Sequence, residues 1–178
     1  VDVFAYCAAS FARSVGKAAG VQPLLSPPMR AEYFGHELLE NHDFIYLKLH
    51  GRAGQPYWYG DGYIEALSAD TVRSARLDGA VVFAASCHLP ESPMLEALLD
   101  AGASAVIGGR GRNFAATDAV WGADLLGMYV RWFMKLGMRV DRALKWAKWR
   151  LRLGVQDRAT KDALEFQLFR REGCIRER

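Results

Sequence analysis

The chain has 178 residues, of which 51% are hydrophobic and 24% charged, and its formal net charge is +3. This is the profile of one soluble domain large enough to hold a core of its own. It excludes a membrane span, because no apolar run approaches the length of one. The N-terminal stretch lacks the charged region and cleavage site of a signal peptide. The first residue is Val1 rather than Met, so an excerpt from a longer protein with flanking domains is expected.

Val3 to Ala9 reads as a buried strand, and Phe11 to Ala19 as a helix closed by Gly20. Val21 to Leu25 suits a second short strand, ended by Ser26-Pro27-Pro28. Arg30 to Glu40 has helical spacing, with Leu38 and Leu39 on its apolar side. Asp43 to Leu49 (DFIYLKL) is strand-like, and Gln55 to Tyr63 (QPYWYGDGY) reads as a hairpin turning at Gly-Asp-Gly. A helix over Ala69 to Ala75 precedes a fully apolar strand, Ala80 to Ala85 (AVVFAA). Pro93 to Asp100 is a helix stopping at Gly102, and Ala103 to Ile107 a strand leading into Gly108-Gly109. Strands alternating with helices imply a mostly parallel sheet covered on both faces, an α/β/α sandwich. Residues 121–153 then carry two helical stripes, from Leu125 to Leu136 and from Val140 to Leu151, expected to pack on the sheet. Residues 154–178 read as a tail, frayed from Arg170 onward, and the whole of 1–178 as one domain.

Cys7, Cys87 and Cys174 are odd in number and widely spaced. That argues against a disulfide framework and against a zinc cluster, and fits a reducing, cytoplasmic setting with one functional thiol. Neither a metal nor another cofactor is expected. Charge is unevenly placed: Arg131 to Arg178 holds 14 Lys/Arg against 6 Asp/Glu, and the first 130 residues hold 9 against 14. A solvated basic helix face explains this, and so does a docking surface for an acidic partner. Direct nucleic-acid binding is not expected.

In open parallel sheets, sites gather beyond the carboxyl ends of the strands. DFIYLKL runs into His50-Gly51, and AVVFAA into Ser86-Cys87-His88. On neighbouring strands these would emerge on one rim. A thiol needs a base or a positive neighbour to become a thiolate at neutral pH, and imidazole suits that task. Gly51 lets backbone approach a reacting carbonyl, and its N–H with that of Cys87 makes a candidate oxyanion hole. Taken singly, a Cys at a strand end is usually a small buried hydrophobe and a His there a satisfied polar residue. The pair at two apolar strand ends is the more specific signal.

An apolar strand with His-Gly, followed by an apolar strand with a small residue and Cys, resembles the caspase-like cysteine peptidases, a group that includes caspases, gingipains, separases and CHAT domains. The motifs most resemble CHAT: LKLHG (Leu47 to Gly51), WYGDG (Trp58 to Gly62), AASC (Ala84 to Cys87), AGASAVIGG (Ala101 to Gly109) and GMRVDRALKWAK (Gly137 to Lys148). The resemblance spans roughly Asp43 to Arg152. It implies a caspase-like fold and a peptidase acting on a protein or peptide, with His50 as general base and acid. Cys87 would attack the scissile carbonyl to form a thioester, and Gly51 and Cys87 would supply oxyanion N–H groups.

The chain also departs from caspases. Ala85 stands where caspases carry the pocket Gln, and His88-Leu89 replaces their Arg-Gly, so an aspartate pocket of the caspase type is not supported. Ala85 and Ser86 are expected beside the substrate. Asp61 is read either as a turn residue or as a carboxylate selecting a basic substrate side chain. His88 is expected to make local hydrogen bonds or to raise the positive field at the thiol. GGRGRN (Gly108 to Asn113) lacks the ending of a P-loop and is expected to shape the substrate pocket. Two alternatives stand beside the peptidase: a catalytically inactive CHAT-like interaction module, and another acyl-transfer enzyme with a Cys nucleophile. A regulatory partner or flanking domain is expected, and no membrane association.

Overall fold

The computed structural model describes residues 1–114 and 116–171. Eight strands form among the described residues: β1 (Val3–Ala8), β2 (Leu24–Ser26), β3 (Phe44–Lys48), β4 (Tyr57–Tyr59), β5 (Glu65–Ser68), β6 (Val81–Ala84), β7 (Ala105–Gly108) and β8 (Gln167–Phe169). The helices are α1 (Ala12–Ala19), α2 (Ala69–Ser74), α3 (Pro93–Asp100), α4 (Ala123–Lys135), α5 (Val140–Arg152) and α6 (Arg158–Leu164). Six strands make one sheet in the order β2-β1-β3-β6-β7-β8, parallel except for β8, while β4 and β5 pair as a separate antiparallel hairpin. The expected α/β sandwich with helices at its C-terminal end is the architecture found.

Alternation along each strand builds the two faces. Phe44 and Tyr46 of β3, with Val81 and Phe83 of β6, pack against α1, α4 and α5. Ile45 and Leu47, with Val82 and Ala84, face α2 and α3. A strand sandwiched this way is apolar at nearly every position, which is why β6 and β7 read as unbroken hydrophobic runs and β3 as one broken only by Lys48. Each large side chain removed from water in these layers contributes about 1.5–3 kcal/mol. The β1–α1–β2 connection crosses one face, and β3–α2–β6 and β6–α3–β7 cross the other. The strand order therefore reverses between β1 and β3.

Three expectations are corrected. The helix over Arg30 to Glu40 is only a single 3-10 turn, His36–Leu39. Gly35 is extended just before it, and upstream the Ala31 amide is tied to the Glu65 carbonyl at 2.8 Å, so long-range pairing overrides the local periodicity. The hairpin expected within 55–63 instead pairs β4 with β5, and Asp61 lies in the short turn between them. Residues 154–171 do not form a tail. Asp157 caps α6 by accepting from the Thr160 amide at 2.9 Å, and Phe166 stacks on Phe83 with ring centroids 5.6 Å apart. The rest of the expected tail, 172–178 with Cys174, lies outside the described residues.

Candidate functional site

β3 and β6 are hydrogen-bonded neighbours, with Leu47 opposite Ala84 in the register. Their continuations bring His50 and Cys87 to one end of the sheet, where both line a cleft of about 500 Å³. His50 is held by its backbone: its N–H donates to the Tyr59 carbonyl at 2.8 Å, and its carbonyl accepts from the Tyr59 N–H at 2.9 Å. β4 thus clamps the end of β3.

Gly51 explains itself by distance. A Cβ built at this position would stand 2.0 Å from the Cys87 carbonyl oxygen and 3.3 Å from the Cys87 nitrogen. Only glycine lets the two strand ends come so close. Among the described residues, neither the Gly51 nor the Cys87 amide donates to a protein acceptor.

The imidazole of His50 packs 5.3 Å from the Phe11 ring. Its Nε2 lies 3.4 Å from Asp61 Oδ1. Asp61 also accepts from the Ser10 amide at 2.6 Å and from the Ser10 hydroxyl at 2.8 Å. Desolvation pushes the Asp61 carboxyl up, but the bonds from Ser10 and the contact with His50 outweigh it and hold its pKa below the ordinary value. Asp61 is therefore engaged with His50 and Ser10.

Cys87 is half-buried. The Asn113 amide donates to its sulfur at 3.3 Å, and the sulfur lies 3.8 Å from the Asn113 carbonyl. The Asn113 side chain donates to the Ser86 carbonyl at 3.1 Å, and the His88 amide to the Gly111 carbonyl at 2.7 Å. The GGRGRN loop thus lies against the thiol, and its Arg112 and Asn113 line the cleft. His88 has a positive φ of 56° and Tyr63 of 57°. Two of the three non-glycine residues with positive φ among the described residues line this cleft, an uncommon concentration of backbone strain.

Ala85 and Ser86 lie elsewhere than expected. Both are buried, and neither lines the cleft. The Ala85 amide donates to the Leu47 carbonyl at 2.8 Å, and the Ser86 hydroxyl accepts from the Leu49 amide at 3.2 Å. They bind β6 to β3 under the rim.

Sequence reasoning missed Ser10 and Lys48, and named Asn113 only as the end of the GGRGRN loop. Ser10 follows the carboxyl end of β1, so the strand-end rule that singled out His50 and Cys87 also applied to it. Lys48 carried a plain signal, a lysine inside an otherwise apolar strand. It is buried, 2.5 Å from Asp124, and donates a hydrogen bond to the Ala116 carbonyl at 2.8 Å, and its ammonium lies 4.3 Å from the Phe11 centroid. Tyr46 donates to the other Asp124 oxygen at 2.7 Å. Among the described residues no three His, Cys, Asp or Glu side chains cluster as a metal site, and no helix is long and apolar enough to cross a membrane.

Neither the protein-family models nor the curated proteins give a match to this chain. Solved structures do. Two crystal structures of the Saccharomyces cerevisiae separase–securin complex superpose with TM-scores of 0.58 and 0.56. Each is 14% identical over the match, which covers 95% of this chain and 12% of theirs. The chain therefore spans a small part of the length of those proteins, and the similarity is one of fold.

Proposed function

We propose that the chain carries a cysteine endopeptidase site in which His50 and Cys87 act as a catalytic dyad. The observation that carries this reading is that β3 and β6 are adjacent and that both residues line one cleft just past their ends. In the proposed reaction His50 removes the thiol proton, and the thiolate attacks the scissile carbonyl carbon. The oxygen that becomes negative takes hydrogen bonds from the Gly51 and Cys87 amides, whose lack of a protein acceptor among the described residues supports that role. His50 then returns the proton to the leaving amine, and the C–N bond breaks to leave a thioester. Water, deprotonated by His50, hydrolyses the thioester and restores the thiol. Asp61 is a positioning residue that holds the His50 ring through Nε2 and leaves Nδ1 as the basic nitrogen. The Asn113 amide stabilises the thiolate by pointing at the sulfur.

The test is hydrolysis of a peptide library by the protein and by its Cys87→Ala and His50→Ala variants. Each variant is expected to lose activity by about 10³-fold or more while keeping its circular dichroism spectrum. Activity retained in both would sink the dyad.

A second reading, a docking module of the same fold, is supported by Trp132, Trp146 and Trp149, which stand half-exposed on the basic helices α4 and α5. The separase structures hold that protein with securin, which supports the expectation of a regulatory partner here. Partner binding that survives Cys87→Ala, from a protein whose thiol no peptide electrophile labels, would favour this reading.

A further inference from the structure

We infer that the cleft selects a peptide bearing an acidic side chain next to the bond presented to Cys87, and that Arg52 and Arg112 recognise it. The inference rests on the cleft being the peptide site of the proposed peptidase. Of the two readings of Asp61, a turn residue or a carboxylate that attracts a basic substrate, the second loses support, because Asp61 is committed to Ser10 and His50 and does not line the cleft. The charged residues that do line it are Arg52 and Arg112, accompanied by His50 and His88, with no Asp or Glu among them. Neither arginine is in a salt bridge among the described residues.

The two guanidiniums come from different loops. Arg52 follows Gly51 on the connection from β3 to β4, and Arg112 belongs to the loop after β7 that contacts the sulfur through Asn113. Arg52 is also held in place. Its guanidinium lies 4.3 Å from the Tyr63 ring centroid and 5.9 Å from that of Tyr59. Tyr63 is turned towards the site by consecutive positive φ angles at Gly62 (70°) and Tyr63 (57°), and its ring is 6.0 Å from His50. A strained turn that carries an aromatic platform for an unpaired arginine, beside the candidate base, leaves that arginine pre-organised for an anion. Arginine suits a carboxylate because its planar donors match the two oxygens, and stacking lowers the ordering cost of binding. A basic side chain entering the same space would meet the like charges of two lining arginines.

The experiment is fluorescence anisotropy on the Cys87→Ala protein, which binds without turnover. It uses three labelled octapeptides differing only in carrying Glu, Gln or Lys at their central positions. The Glu peptide is expected to bind at least tenfold more tightly than the Gln peptide, with the Lys peptide weaker still. Arg52→Gln with Arg112→Gln should erase the difference between Glu and Gln, and Arg52→Glu with Arg112→Glu should reverse the order. Both arginines are exposed, so an unchanged thermal melt is expected and serves as the folding control. Equal binding of the Glu and Gln peptides, or a preference that survives both double substitutions, overturns the inference. Hydrolysis by the wild-type chain is scored separately. Acid-selective binding without hydrolysis would overturn the peptidase reading and uphold this one, and hydrolysis with equal binding would do the reverse.

Discussion

Cys7 lies near the end of β1, and Cys87 lies just past the end of β6, so the two thiols approach the same edge of the sheet. Their surroundings differ in every respect that governs sulfur chemistry. Cys7 points into the layer between the sheet and the helices and is fully buried. Burial pushes its thiol from an ordinary 9.0 to about 12, because a thiolate there would give up its hydration, and the nearby Lys48 offsets this only in part. Cys87 lies where the strand has ended and the chain has left the core. It is half-buried, an amide N–H points at its sulfur, and a histidine lines the same cleft. What separates an inert thiol from a candidate nucleophile here is a displacement of a few residues along parallel strands. Cysteine type and strand context are shared by both.

The sharpest way to break this contrast is chemical labelling. In the native protein, iodoacetamide should alkylate Cys87 about 10³-fold faster than Cys7 or more, since Cys7 reacts only from an opened state that is sparsely populated. Peptide mass mapping over time reads both rates. Comparable rates would mean that the β1 end is not packed as described.

Next in size is the buried ion pair. Lys48→Met leaves the Asp124 carboxylate buried without its counter-charge and should cost about 3–5 kcal/mol in urea unfolding. Adding Asp124→Asn removes the orphaned charge and should recover most of that loss. If the single variant costs under about 1 kcal/mol, the pair is not buried in solution.

Asp61→Asn should leave the fold intact and lower kcat by about 10- to 100-fold, with KM changed by less than about twofold. A residue that merely capped a turn would alter stability without this split. The smallest effect concerns pH. The Cys7 thiol stays protonated in the folded chain, so its contribution to stability is complete below pH 9 and is lost as pH rises from 9 toward 12. Cys7→Ala should make the fall in stability above pH 9 shallower, by at most about 1.4 kcal/mol per pH unit. Cys87→Ala is the control, and an equal flattening from it would reverse the assignment of the buried thiol.

Much of the architecture was legible because the strands that matter are buried on both faces, which leaves apolar runs such as FIYL (Phe44 to Leu47) and VVFA (Val81–Ala84). Elements with little local signal were not legible. The seven-residue α6 and three-residue β8 are held by distant partners, Trp121 and β7. The Arg30 to Glu40 periodicity was outweighed by a backbone bond to β5. At the site, His50, Gly51 and Cys87 could be singled out because the end of a parallel strand is where backbone and reactive side chains emerge together. Asp61 could be noticed in its turn, but its partners could not be read there, since Ser10 is 51 residues away.

By itself, the sequence determined the alternation of strands and helices and the two strand ends where His50 and Cys87 stand, since hydrophobic period and glycine placement are local properties. The tertiary structure alone decided that these ends are neighbours and that Ala85 and Ser86 turn inward. It also decided that Asp61 faces His50 and that Arg52 and Arg112 hold the charge in the cleft. Those relations depend on strand order and on loops meeting across the sheet edge, and no stretch of chain encodes the distance between two others.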